Sequence, residues 1–246
     1  MIFESQLVAI LASSPKLRVL HIETGIQGCT SLDHHIEPVF LEELEELDII
    51  QEDKDFAFGN FLRWIAPGPK PLRLNFYGLP DEAGPVEFCA RANVTRFFIE
   101  EFTSSESFVR MIRHSPWLEI LAIKSDQNDE YNDLESILPS IDQQYPNEFA
   151  PKTQVDTLLL IDFTGIFFED IQAVVDAYSV KRLLIRSTSI SYEVEDEWKV
   201  TDDPQEIKAK LSLSWNILQD LLHTNLRVGG ATEFIVTAHA TLPSYF

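Results

Sequence analysis

With 246 residues, of which 45% are apolar, the chain can bury a sizeable core, and 40 Asp and Glu against 19 Lys and Arg give it a formal charge of -21. That charge repels phosphate backbones and the basic residues do not cluster, so nucleic acid is excluded as a partner, and a basic protein or plain solubility is the better use of it. No apolar run reaches the ~18 residues of a membrane span, the opening MIFESQLVAILASSPK lacks the basic region of a secretory leader, and Cys29 and Cys89 are too few for a disulfide framework; the expectation is a soluble intracellular protein, cytoplasmic or nuclear, with no membrane partner.

Residues 2–12 put Ile2 or Phe3, Gln6 or Leu7, and Ile10 or Leu11 on one helical face that stops at Ser13, Ser14 and Pro15. The segment SPKLRVLHI then reads as a strand, followed by a polar loop holding Cys29, His34 and His35. The charged run EELEE at 42–46 competes as a short helix, but the register of Leu47 and Ile49 favours a strand from about Leu44. Residues 56–65 carry Phe58, Leu62 and Ile65 on a helical stripe that APGPKP ends; LRLNFYG is a strand, and 81–92 supports only a short helical turn. Ser104, Ser105 and Glu106 cap a helix bearing Phe108, Met111 and Ile112, which runs into the strand segment SPWLEILAI. Beyond a polar loop, a helix is expected through Leu134, Ile137 or Leu138, and Ile141, and another from Phe168 to Ala177 with Ile171, Val174 and Val175 on one face. From Ile190 the pattern loosens into an acidic loop with Trp198 and Val200 as strand residues, a helix over 205–222, and a last strand at Phe234 and Val236.

SPKLRVLHI and SPWLEILAI share one frame, apolar-x-x-apolar-x-apolar, which returns around Leu47, Leu74, Phe97, Leu158 and Leu183. Taken at the middle residue, the markers 20, 47, 74, 97, 121, 158 and 183 lie 27, 27, 23, 24, 37 and 25 apart, and all but one interval fit the period of leucine-rich repeats. The loop between Ile123 and Val155 accounts for the long one. A strand and helix of this length cannot cover their own apolar side, whereas stacked neighbours share a core. The fold expected is α/β: a leucine-rich-repeat solenoid with a curved parallel sheet and helices on the convex side, one domain over 1–246 with 187–246 as a less regular C-terminal cap.

The residues flanking each marker then point outward: Val19 and His21, Glu46 and Asp48, Arg73 and Asn75, Arg96 and Phe98, Ile120 and Ala122, Thr157 and Leu159, Arg182 and Leu184. Most of that face is charged or mixed, but Leu159, Ile161 and Leu184 make an apolar patch edged by Arg182 and Arg186, which is the candidate protein-binding site unless the C-terminal helix or acidic loop folds back over it. His21 beside Glu23 and Asp48 has the composition of a general base held by carboxylates, without an evident nucleophile. Cys29, His34 and His35 with Asp33 or Glu37 lack the paired spacing of a zinc site. Asp126, Asn128 and Glu130 open like a calcium loop but have Tyr131 where glycine is needed and Ile137 where a carboxylate should close the shell. No catalytic, metal or cofactor site is therefore assigned.

The segments SPKLRVLHI, FLEELEELDI, VTRFFI, SPWLEILAI, VDTLLLI and VKRLLI together resemble the irregular leucine-rich region of the F-box-like proteins of mushroom-forming fungi. That resemblance implies a protein-protein interaction module, the substrate-recognition part of a ubiquitin-ligase adaptor. The F-box itself is not expected, because the first frame begins at Leu17, and the asparagine that regularly follows the strand in shorter repeats is missing. The partner expected is a protein and the chain a monomer; the alternative is a hydrolase on a parallel α/β scaffold with a divergent site.

Overall fold

Both Ser-Pro segments fold into the same turn. The Leu17 N–H donates to the Ser14 carbonyl at 3.0 Å and the Leu118 N–H to the Ser115 carbonyl at 3.1 Å, with proline presetting φ at the second position. Each turn follows a helix whose last carbonyls are taken by the serine amide, Ser14 to Leu11 and Ser115 to Ile112, both 3.0 Å. The strands begin only at Val19 and Ile120, so the first apolar position of the frame belongs to the turn and anchors it, rather than opening the strand as the sequence suggests.

The computed structural model describes residues 2–23, 26–27, 37–50, 61–79, 83–102, 105–125, 134–137, 154–194, 197–203, 205–207, 209–210, 226–228 and 231–237. They form two compact units, one built on Met1–Glu119 and the other on Ile120–Leu138 and Gln154–Phe246.

In the first unit the elements run β1 (Ile2–Phe3), α1 (Glu4–Ala12), β2 (Val19–Ile22), β3 (Ile26–Gln27), β4 (Val39–Leu41), β5 (Glu46–Ile50), β6 (Ile65–Pro67), β7 (Leu72–Leu79), α2 (Ala83–Arg91), β8 (Val94–Phe102) and α3 (Ser105–Arg113). Strands β2, β5, β7 and β8 pair in parallel in chain order, and the register sets Leu20 beside Leu47, Leu47 beside Leu74, and Leu74 beside Phe97. Two residues on, Ile22, Ile49, Phe76 and Ile99 form a second buried row. Leu20 is half-buried where its successors are buried, because β2 has a paired neighbour on one side only among the described residues. The aromatic members lock together, Phe76 perpendicular to Phe97 at 5.6 Å and Phe97 stacked on Phe108 of α3 at 5.8 Å.

Three expectations need correction here. Residues 83–91 form a full helix with Val86, Phe88 and Cys89 buried, although Gly84 and Pro85 spoil its pattern; a proline in the first turn removes an amide that has no helical partner anyway. Ile65 is not on a helix but opens β6, opposite Val39 of β4. APGPKP is more than a breaker: Gly68 donates to the Leu41 carbonyl at 3.1 Å, and any side chain there would collide with the Glu42 backbone. The Arg91 guanidinium at the end of α2 donates to the Leu62 and Ile65 carbonyls and lies over the Phe88 ring, which ties the helix to β6. Burial pushes the Cys89 thiol up to about 12, partly offset by its hydrogen bond with Ser115 and by Arg91, so Cys89 is an apolar filler rather than a nucleophile.

The second unit holds β9 (Ile120–Lys124), a 3₁₀ turn (Leu134–Ile137), β10 (Thr157–Ile161), β11 (Ile166–Phe167), α4 (Phe168–Ala177), β12 (Arg182–Arg186), β13 (Ile190–Val194), β14 (Glu197–Thr201), β15 (Leu226–Val228) and β16 (Ala231–Thr237). β9, β10 and β12 are parallel and in register, Leu121 to Leu158 to Leu183, all buried. The parallel run ends at β12, because β16 adds to it antiparallel and β15 to β16 likewise. The stretch from Ile190 that reads as an acidic loop is instead an antiparallel hairpin of β13 and β14. The expected helix through Leu134 and Ile137 is a single 3₁₀ turn among the described residues, held by the Tyr178 hydroxyl donating to the Ile137 carbonyl at 2.6 Å. The helix segment before residue 61 and most of the one over 205–222 fall outside the described residues.

A second set of short parallel ladders keeps the same period: Ile2 pairs with Ile26, Val39 with Ile65, and Ile166 with Ile190. The described chain is thus α/β, with parallel strands recurring once per frame and helices between several of them. The row makes a direct prediction. Leu121→Ala removes a buried side chain from the second unit and should lower unfolding free energy by about 2–5 kcal/mol in a urea titration; a loss below about 1 kcal/mol would place Leu121 outside the core.

Candidate functional site

Parallel, in-register pairing places side chains of the same frame position next to one another, about 4.8 Å apart across the sheet. On the outward face of the first unit this brings His21, Asp48 and Asn75 into one line from β2, β5 and β7. His21 Nδ1 lies 3.1 Å from Asp48 Oδ2, and its Nε2 lies 2.6 Å from Glu23 Oε1. Asn75 donates through Nδ2 to the other Asp48 oxygen and accepts from Arg73 Nε at 3.3 Å, while Arg73 Nη1 reaches Glu46 Oε1 at 3.7 Å. The three residues named from sequence as a base and its carboxylates are therefore in contact. Their geometry argues against the base: each ring nitrogen faces a carboxylate oxygen, so the imidazolium, which can donate to both, is favoured and neither nitrogen keeps a lone pair for substrate. Hydrogen bonds to Glu23 first and Asp48 second raise the His21 pKa from its ordinary 6.5.

A second charged line lies two residues before the markers. Arg18 Nε donates to Glu45 Oε2 at 3.0 Å, Lys70 Nζ binds Glu45 at 2.9 Å and Glu43 at 2.5 Å, and in the second unit Lys181 binds Asp156 at 2.6 Å. Between Arg18 and Lys70, Glu45 is held down to about 2. Sequence reasoning missed these pairs, although the signal was present: Arg18 and Glu45, like Asp156 and Lys181, occupy one frame position with opposite charges.

In the second unit Leu159 and Leu184 are adjacent, as the register requires, but they are only 9% and 7% exposed. Ile161 and Arg182 are half-buried and Arg186 is exposed. The aliphatic pair is thus buried in this structure rather than laid open to water. Cys29, His34, His35 and Asp33, and the Asp126–Glu130 loop, fall outside the described residues; among the described residues no group of three or more His, Cys, Asp or Glu could hold a metal ion, and no helix is long and apolar enough to cross a membrane.

The chain matches no model of a known family, no curated protein and no solved structure.

Two predictions follow from these sites. Because the folded pKa of His21 is raised, its contribution to stability is fully present below about 6.5 and is lost as pH rises through the folded value; NMR titration should give a midpoint above 6.5, and the fall in urea midpoint between about pH 6 and about pH 9 should shrink in His21→Gln. The side chain is 44% exposed, so solvent screening keeps the effect small, and a midpoint at or below 6.5 would dissolve the double contact. For the covered pair, Leu159→Ser with Leu184→Ser should melt markedly lower than the parent, since each change leaves a cavity and buries a hydroxyl; a melting temperature within about 2 °C of the parent would show the pair to be surface.

Proposed function

We propose that this chain is a protein-interaction module built as a leucine-rich-repeat solenoid, binding its partner across the outward face of the first unit. The observation that carries the reading is the line His21, Asp48, Asn75 with Arg73 and Glu46 beside it: Asn75, itself buried, holds Asp48 and Arg73 in place, and adjoining parallel strands present His21, Arg73 and Glu46 in fixed spacing. Such an array is already oriented, so a partner gains hydrogen bonds without the side-chain ordering cost that usually reduces affinity. Tyr77 and Phe98, 5.6 Å apart between ring centroids, add an aromatic contact along the same face. Repeat proteins use extended faces of this kind for binding. The charge of -21 disfavours nucleic acid as the partner. The resemblance of the repeats to those of F-box-like proteins supports a place as the substrate-receiving part of a ubiquitin-ligase adaptor, acting as a monomer inside the cell.

Arg73→Glu with Arg96→Glu tests the face, because both side chains are exposed and the Arg73–Glu46 ion pair contributes about 1 kcal/mol or less to stability. The immobilised parent should retain a discrete protein from extract of its native cells, and the variant should lose it while melting within a few degrees of the parent. A folded variant that retains the same protein would overturn this choice of surface.

A further inference from the structure

Strand β14 carries an apolar face that the first unit's binding surface does not explain. Among the described residues eight large hydrophobic side chains are exposed, and three of them meet on the small sheet β11–β13–β14: Phe167 at 46%, Trp198 at 61% and Val200 at 64%. The register explains why they share a face. Phe167 pairs with Ser191 and Ser191 with Val200, while Trp198 lies opposite Glu193, two residues along from each. The Phe167 and Trp198 rings are already in edge contact at 5.1 Å, so the patch is formed before anything binds.

The opposite face is fixed. Ile190 and Tyr192 are buried there, the Tyr192 hydroxyl and Thr201 Oγ1 both donate to the Glu206 carboxylate, and Lys210 lies 4.1 Å over the Tyr192 ring. Lys199, cross-strand partner of Tyr192, sits on that side and helps hold Glu206 ionised. Alternation therefore sends the local lysines to the anchored face and leaves Glu193 beside Trp198 on the open one. The segment from Glu193 to Asp203 has six carboxylates and one lysine, which makes the surroundings of the patch strongly negative. β14 is also an edge strand among the described residues, with one paired side.

An aromatic pair, an adjacent carboxylate, a negative field and a free strand edge share one ligand chemistry. We propose that β14 is a docking edge for an extended segment of a partner protein in which apolar and basic side chains take turns at every second position, so that both lie on one face. The segment adds as a fourth strand to β14, places its apolar side chains against Val200 and the Trp198 ring that Phe167 backs, and sets a lysine or arginine of the same face over the Trp198 ring within reach of Glu193. The proposal rests on the reading of the chain as a protein-interaction module and assigns it a second surface, in the other unit.

The probe is a dye-labelled Lys/Val peptide in which Val and Lys take turns at every second position with Ser between them, compared with its Glu/Val counterpart and a Lys/Ser version, titrated against the full chain. Saturable binding of the Lys/Val peptide is expected, weakening with salt and falling about tenfold or more in Trp198→Ala and in Glu193→Lys. Both residues are exposed, so both variants should keep the parent melting temperature. Absence of saturable binding, equal binding of the Glu/Val peptide, or affinity unchanged in Trp198→Ala would each overturn the proposal. Sedimentation of the parent at high concentration covers the other occupant: dimers that Trp198→Ala dissolves would assign the edge to a second copy of this chain and overturn the peptide assignment. Because the peptide titration does not involve the extract partner, its failure with Arg73 and Arg96 still required for capture would remove β14 alone. Peptide binding that survives when the Arg73 and Arg96 variant still captures its protein would remove the first-unit surface alone.

Discussion

Zero stagger between parallel strands is the constraint from which the other features of this chain follow. When Leu47 pairs with Leu74 and Leu74 with Phe97, the positions that follow each marker are aligned as well, the one register shift of these ladders lying ahead of the marker between Leu72 and Arg73, because the strands have no freedom to slide without turning an apolar row to water. The buried rows supply the driving force and set the register. The polar lines, His21 with Asp48 and Arg18 with Glu45, are consequences of that register. Their charges contribute little to stability at such exposure, yet they decide which polar groups that face of the sheet carries.

Much of the fold was legible because the frame tolerates no alternative period. All seven markers occupy equivalent places on strands, and the parallel pairing within each unit follows from their spacing. Where the reading went astray, a local rule competed with packing. Gly84 and Pro85 disguised α2, since propensity counts against both while a first helical turn accepts them. Ile65 had the spacing of a helical stripe but joined β6, where pairing to β4 satisfies its backbone. Strands of two or three residues, such as β1, β3 and β11, are too short to leave a period at all.

The candidate sites were legible to different depths. His21, Glu23 and Asp48 could be grouped because register alone decides that meeting; that both ring nitrogens would be occupied depends on rotamers that no pattern encodes. The aliphatic row of Leu159 and Leu184 was correctly aligned, but whether an aligned row is open depends on what packs over it, and that is not a property of the row. Trp198 and Val200 were recognised as strand residues. Their partner Phe167 was not, since the contact reaches over β13, which lies between β11 and β14.

The turns after β10 and β12 are tied to each other by side chains. Asp162 and Ser187 each leave the strand in the left-handed region, with φ of 58° and 48°, and the amides that follow the first turn are capped by hydroxyls from the next repeat: Phe163 N–H donates to Thr188 Oγ1 at 3.2 Å and Gly165 N–H to Ser189 Oγ at 2.7 Å. Here the closing group comes from the successor, 25 or 24 residues downstream. The earlier turn therefore depends on the later one. During synthesis the turn at Phe163 stays uncapped until Thr188 and Ser189 have emerged, so the ribosome's own direction of travel delays its completion until β12 has been made.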